Sequence, residues 1–309
     1  MHRPLKTVAG LMAAIALVSL VGVFVDDRVL VGAPIWLKPF KFAVSIAIYA
    51  TTIAWLLPRL ERRPRTAWWL GTVIAAAMLI EMVIIVGQAA RGRQSHFNAG
   101  TPLDGALYSI MGATIATAWV ATLVIAILLL IQRIPERATA LAVRLGILVA
   151  LGGMGVGFLM TMPTPAQLGQ ERPTIVGAHA VGVADGGPGL PLVGWSTTGG
   201  DLRAGHFIGM HALQALPLFA FALMLAARRI ARLRDEWVRT RLIGTFGFFY
   251  AGLVVLVTWQ ALRGQSLIHP DAPTLAAAAL LLVLTALGTA WSLAGPRHSP
   301  VTVAPAEVC

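Results

Sequence analysis

Long apolar runs, each nearly free of charge, alternate along the chain with short polar segments. Eight such runs fall at about 7–25, 40–57, 67–88, 106–131, 139–162, 204–227, 241–263 and 273–294. Each has about the 18 to 25 residues that a helix needs to cross ~30 Å of hydrocarbon. In lipid every backbone polar group must pair inside its own segment, so runs of this length predict helices. The first run follows Met1-His2-Arg3 and could imitate a signal peptide. It ends in Val23-Phe24-Val25-Asp26-Asp27, without a small-x-small cleavage site, and so is read as a span. The expected fold class is an all-α polytopic integral membrane protein with eight transmembrane helices.

Composition supports that reading. Of 309 residues, 57% are hydrophobic and 12% charged, with mean hydropathy +0.78. Soluble domains carry about 25% charged residues. A soluble enzyme, a disordered chain and a disulfide scaffold are excluded. The single cysteine, Cys309, is the last residue. It has neither an internal partner nor room for a C-a-a-X box.

The net charge of +11 reports topology rather than nucleic acid, and no nucleic-acid partner is expected. Sixteen of the 24 basic residues lie in the N-terminus, 58–66, 132–144, 228–241 and the C-terminal tail. Eight lie in the alternate segments: Arg28, Lys38, Lys41, Arg91, Arg93, Arg172, Arg203 and Arg263. Basic residues mark the cytoplasmic side. The expectation is a multi-pass protein of the plasma (inner) membrane, with both termini cytoplasmic and the bilayer as its first partner.

Two stretches resemble each other. Residues 88–96 read Gln-Ala-Ala-Arg-Gly-Arg-Gln-Ser-His, and 260–269 read Gln-Ala-Leu-Arg-Gly-Gln-Ser-Leu-Ile-His. Thr-Ala-Trp recurs at 117–119 and 289–291. The second span opens Leu37-Lys38-Pro39-Phe40-Lys41-Phe42 and the sixth Leu202-Arg203-Ala204-Gly205-His206-Phe207. Apolar matches between spans are cheap, whereas matched Gln, Arg, Ser and His are not. Four spans per half gives both copies one orientation, a parallel repeat about an axis along the membrane normal. The expected units are 1–132, then 133–294 with an extended outer loop at 163–203, then a disordered cytoplasmic tail at 295–309. The loop holds Pro163-Thr164-Pro165 and Asp185-Gly186-Gly187-Pro188-Gly189, turn-rich but mixed with buried-type residues. It reads as a packed lid.

Polar residues inside a span are costly and face the protein interior. Here they gather toward the outer ends. Glu81 and Gln88, seven apart, share one face of span three. Lys38, Lys41, Ser45, Tyr49 and Thr52 form a stripe on span two. His206, His211 and Gln214 lie on span six. A lone carboxylate at this depth is protonated or paired, with Lys41, Arg91 or Arg263 as the cation, or shares a proton with His211. On this reading Glu81, Lys41 and Tyr49 carry the chemistry. His206, His211, Gln214 and His96 hold a cofactor, and His206, His211 and His179 hold a metal. His206 and His211 are five apart, about 140° around a regular helix, so they do not clamp one ion as an i,i+4 pair does. Imidazole suits haem, copper and zinc, and thioether suits copper(I), so haem b or copper is the cofactor chemistry to expect.

The plainer roles are snorkelling for Lys38 and Lys41, interface anchoring for Trp36, Trp68, Trp69, Trp119 and Trp259, and close helix packing for Gly153 and Gly157. Three functions fit: a haem- or metal-binding redox protein with an outward-facing intramembrane site, a small-molecule or ion/proton-coupled transporter, and a non-catalytic accessory subunit of a membrane complex.

Overall fold

The computed structural model describes residues 2–294, and most of them are helical. The expected tail at 295–309, with Cys309, lies outside the described residues. The helices are α1 Arg3–Val25, α2 Leu37–Leu56, α3 Pro64–Ala90, α4 Pro102–Ile131, α5 Arg137–Met160, the single turn α6 Pro165–Leu168, α7 Leu202–Met210, α8 Ala212–Ala226, α9 Glu236–Leu262 and α10 Ala272–Ala294. Two short antiparallel pairs of two-residue strands accompany them: β1 Val29–Leu30 with β2 Ala33–Pro34, and β3 Ala180–Val181 with β4 Gly200–Asp201.

Among the described residues seven helices are long and apolar enough to cross a membrane. A further pair of helices, α7 and α8, passes the same test of length and composition only when taken together, and the two meet at 45° across His211. Sequence periodicity expects one regular helix there, and the structure corrects that. Tyr250 Oη donates to Ile208 O (2.8 Å), so α9 satisfies a carbonyl beside the break. Helix starts carry familiar signals. Proline occupies the first turn of α3 and α4, and Thr101, Asp201 and Asp235 each accept a backbone N–H with their side chains.

The connections fall at two ends of the bundle. At one end the α4–α5 and α8–α9 connections meet through Arg137 N–H to Glu236 and Arg239 to Glu136. The start of α1 joins them on α3, where His2 bonds Trp68 O (2.9 Å). Arg232 donates to Leu293 O at the end of α10 (2.8 Å). This is the terminal end. At the opposite, loop end, Arg28 reaches Ala90 O and Ser266 reaches Ser196 O.

The packing within residues 2–131 resembles that within 137–294. In the first, α1 lies against α2 and α3, and α3 against α4. In the second, α5 lies against α7, α8 and α9, and α9 against α10. The turns after α3 and α9 also match. Gly92 (φ 70°) and Gly264 (φ 71°) take the left-handed conformation that ends a helix. Arg93 N–H bonds Gln88 O and Gln265 N–H bonds Gln260 O, the long-range bond of that cap. Gln88 Nε2 then donates to Gln94 O and Gln260 Nε2 to Ser266 O, each six residues on. Arg91 pairs with Asp104, and Arg263 with Asp271.

The core is built largely of alanine with isoleucine and leucine, among them Ala43, Ala50, Ile53, Ile74, Ile125, Ile147 and Leu213. Small residues let backbones approach. At Gly153 a Cβ would run into the backbone of Gly209, so α5 and α7 touch main chain to main chain. Large apolar side chains such as Leu17, Phe24, Leu282 and Leu287 point outward.

Candidate functional site

The site lies at the loop end under residues 161–201, and draws on residues of α2, α3 and α7 and of the turn after α3. That segment is folded rather than slack. Thr164 and Gln167 form a capping box on α6, and the Gln167 amide clamps both backbone groups of Gly177. Ala99 N–H bonds Thr174 O, Val176 N–H bonds Phe97 O and Ala178 N–H bonds Met160 O. The turn at 190–195 is pinned from below, since Lys41 Nζ donates to Val193 O (3.0 Å) and Arg203 Nη2 to Gly194 O (2.6 Å). Arg203 also grips Asp201 with Nε and Nη2.

Beneath this cover sits Glu81, 2% exposed. Its Oε1 is 3.7 Å from His96 Nε2, and its Oε2 is buried without a hydrogen-bond partner. A buried carboxyl oxygen left unbonded costs about 1–3 kcal/mol. The His96 ring lies between Phe42 and Phe97, at centroid distances of 5.4 and 6.1 Å, both edge-on. Its Nδ1 lies 3.0 Å from Ser95 Oγ. The Nδ1–H tautomer, donating to Ser95, leaves the Nε2 lone pair turned toward Glu81. Lys38 Nζ lies 5.8 Å from the Phe42 ring centre and acts electrostatically on both Glu81 and His96.

His179 forms the roof. Its Nδ1 donates to Asp185 Oδ2 (2.7 Å), and Asp185 also accepts the backbone N–H groups of His179 and Ala180. Burial pushes the His179 imidazole below its usual range, outweighing the Asp185 bond that raises it. His96 is pushed well below by burial, with Lys38 and the neighbouring histidines acting the same way. Burial raises the Asp185 carboxyl, but His179 and the two backbone donors hold it well below the usual carboxylate range. Phe97 stands at φ 63°, a strained conformation for a bulky residue, and is 5% exposed. Its ring meets His179 (4.8 Å) as well as His96, so it stands between the two imidazoles.

His206, on α7, donates Nδ1–H to Gly153 O (2.9 Å), and Gly157 leaves the room its ring fills. A second, separate polar tier links α2 to α8 and to α4. Gln214 Nε2 donates to Thr52 Oγ1 (3.0 Å), and its Oε1 accepts from His211 Nδ1 (3.2 Å). Tyr49 Oη bonds Thr122 Oγ1 (2.5 Å). His211 thus sits at the helix break, bonded to Gln214 and not to Glu81. Lys41 is committed to Val193 O, Arg91 to Asp104 and Gln88, and Arg263 to Asp271. None of these three is the cation expected beside Glu81; His96 stands beside it instead, as a neutral imidazole, and Lys38 acts on it only through space.

No family model, curated protein or solved structure matches this chain. The reading of the site therefore rests on its geometry.

The donor set can be tested against a metal or haem. Among the described residues no three His, Cys, Asp or Glu side chains converge as a metal-holding group. His96 and His179 are separated by Phe97, and His211 is turned to Gln214. The sequence places Lys38 in the polar stripe of the second span, with snorkelling as its plainer role, reads Asp185 as a turn former, and does not single out Phe97. An Asp six residues after a His in a loop gives no periodic signal, and a positive φ at phenylalanine gives none either.

Proposed function

We propose that this chain is an inner-membrane carrier of a small solute, coupled to protons at Glu81. It is an eight-crossing protein with both termini cytoplasmic, made of two parallel four-helix halves. The matched caps at Gly92 and Gly264, the matched Gln88 and Gln260 bonds and the like packing of the halves support the repeat. The excess of arginine at the terminal end supports the orientation. Carriers built from repeats place their sites where the halves meet, with a discontinuous helix beside them, and α7–α8 is such a helix.

One observation carries the coupling: Glu81 is buried with one oxygen unpartnered and the other facing His96. A carboxyl in that setting exchanges a proton as its surroundings rearrange, and the neutral imidazole offers the acceptor. The strapped turn at 190–195 serves as the outer gate, because Lys41 and Arg203 can release it without breaking a helix.

The test is a proteoliposome assay with a trapped pH-sensitive dye, challenged in turn with small carboxylates, amino acids and sugars. A solute that drives proton entry in the wild type and fails in Glu81→Gln supports the reading. Wild-type flux retained in Glu81→Gln, or no flux with any solute class, refutes it.

A redox or metal reading keeps one supporting observation. His179 and His206 both donate Nδ1–H, which leaves each Nε2 free to ligate. Haem or copper at near-stoichiometric level in purified protein, lost on His206→Ala, would establish that reading over the carrier.

A further inference from the structure

The terminal end holds a groove unrelated to Glu81. It is a cavity of about 170 Å³ lined by Leu60, Arg62, Arg63, Leu128, Ile131 and Gln132. Leu60 and Gln132 form a buried floor, and Ile131, 71% exposed, forms an apolar wall that opens sideways. Arg62 and Arg63 stand exposed at the rim, and neither side chain makes a hydrogen bond or ion pair among the described residues, even with neighbouring Glu61. Two arginines close by are engaged. Arg59 stacks on Trp55 at 3.6 Å and donates to Trp55 O, while Arg144 donates to Gln132 O.

The other half shows what fills such a place. There the corresponding connection, between α8 and α9, sends Arg232 onto Leu293 O at the end of α10, and Arg241 covers Trp291 at 4.6 Å. Both contacts lie at the end of α10. In the first copy Arg144 of α5 takes over the carbonyl at the end of α4, and the groove stays open with two guanidinium groups beside it.

We propose that this groove binds one anionic phospholipid, its phosphate between Arg62 and Arg63 and its acyl chain along Leu128 and Ile131. Guanidinium groups hold phosphate oxygens in a two-pronged geometry. The apolar wall selects a lipid over a free ion, and the absence of a carboxylate on the rim that could meet a choline favours an anionic headgroup; Glu61 adjoins Arg62 but lines no wall. The site stands whether or not the carrier reading does, since it involves none of the same residues.

Native mass spectrometry of detergent-purified full chain, titrated with dioleoylphosphatidylglycerol, tests it. The expected result is one tightly retained lipid, weakened about tenfold to thirtyfold in Arg62→Gln/Arg63→Gln, given what each arginine contributes beside an anionic surface. Arg228→Gln/Arg229→Gln removes the same charge from the same end and should keep the lipid. Equal loss in both double variants would reduce the effect to diffuse charge and overturn the site. So would equal retention of dioleoylphosphatidylcholine, competition by millimolar inorganic phosphate, or no retained lipid at all.

Discussion

Gly153→Ala should separate α5 from α7 and unfold the site from beneath. The added methyl would overlap the Gly209 backbone, which cannot swing aside as a side chain can. Carbon–carbon contacts are most favourable at about 3.5–4.0 Å, so the helices must part. Overpacking of this kind costs about 1–3 kcal/mol. Parting also stretches the His206–Gly153 bond, worth about another 1 kcal/mol. Helix propensity returns about 0.5–1 kcal/mol, because alanine is the better helix former. The net expectation is a loss of about 1.5–3 kcal/mol. Gly155→Ala is the matched control: the same helix, the same atom added, and nothing within 4 Å of it. It should be neutral or stabilising by about 0.5–1 kcal/mol. The two variants are compared by reversible unfolding in mixed detergent micelles with denaturing surfactant. If Gly153→Ala is no less stable than Gly155→Ala, the close crossing of α5 and α7 is wrong, and with it the placement of His206.

The roof of the site should loosen in acid. His179 and His96 are held below the ordinary imidazole value and Asp185 below the ordinary carboxylate value, so in every case the unfolded loop takes up protons first. Stability of the 161–201 segment is therefore complete above about pH 6.5 and falls as the pH drops through the unfolded histidine range and then the carboxylate range. Hydrogen exchange, corrected for intrinsic rates, should show protection of this segment decreasing from pH 7.5 to pH 5; unchanged protection would contradict the buried neutral state of the two imidazoles. The twin caps give a paired test: Gly92→Ala and Gly264→Ala each force a Cβ into the left-handed region and should each cost about 1–2 kcal/mol in the same unfolding assay. A large cost at one and none at the other would break the equivalence of the two turns.

Seven of the eight apolar runs are legible as long helices from the chain alone, because run length and the need to pair every backbone group favour a helix there; the eighth is broken at His211. The sequence also marked the Gln-Ala-x-Arg-Gly turns, whose structural likeness goes down to the same glutamine bond in each half. It singled out Glu81, since a carboxylate in an apolar run is conspicuous whatever it touches. What it could not decide was partnership. Lys41, Arg91 and Arg263 are equally placed by spacing to meet Glu81, yet each is drawn to a loop oxygen or an aspartate that becomes a neighbour only on folding. The break at His211 was hidden too, for its stabilising contact comes from Tyr250, some forty residues away. Their place on one span suggested a shared site for His206 and His211 despite a spacing of about 140°, whereas the Gly153–Gly209 crossing and the 45° bend set them to different tasks. Local pattern fixes which segments are helical because that depends on the segment alone; which polar groups meet depends on how two distant helices cross.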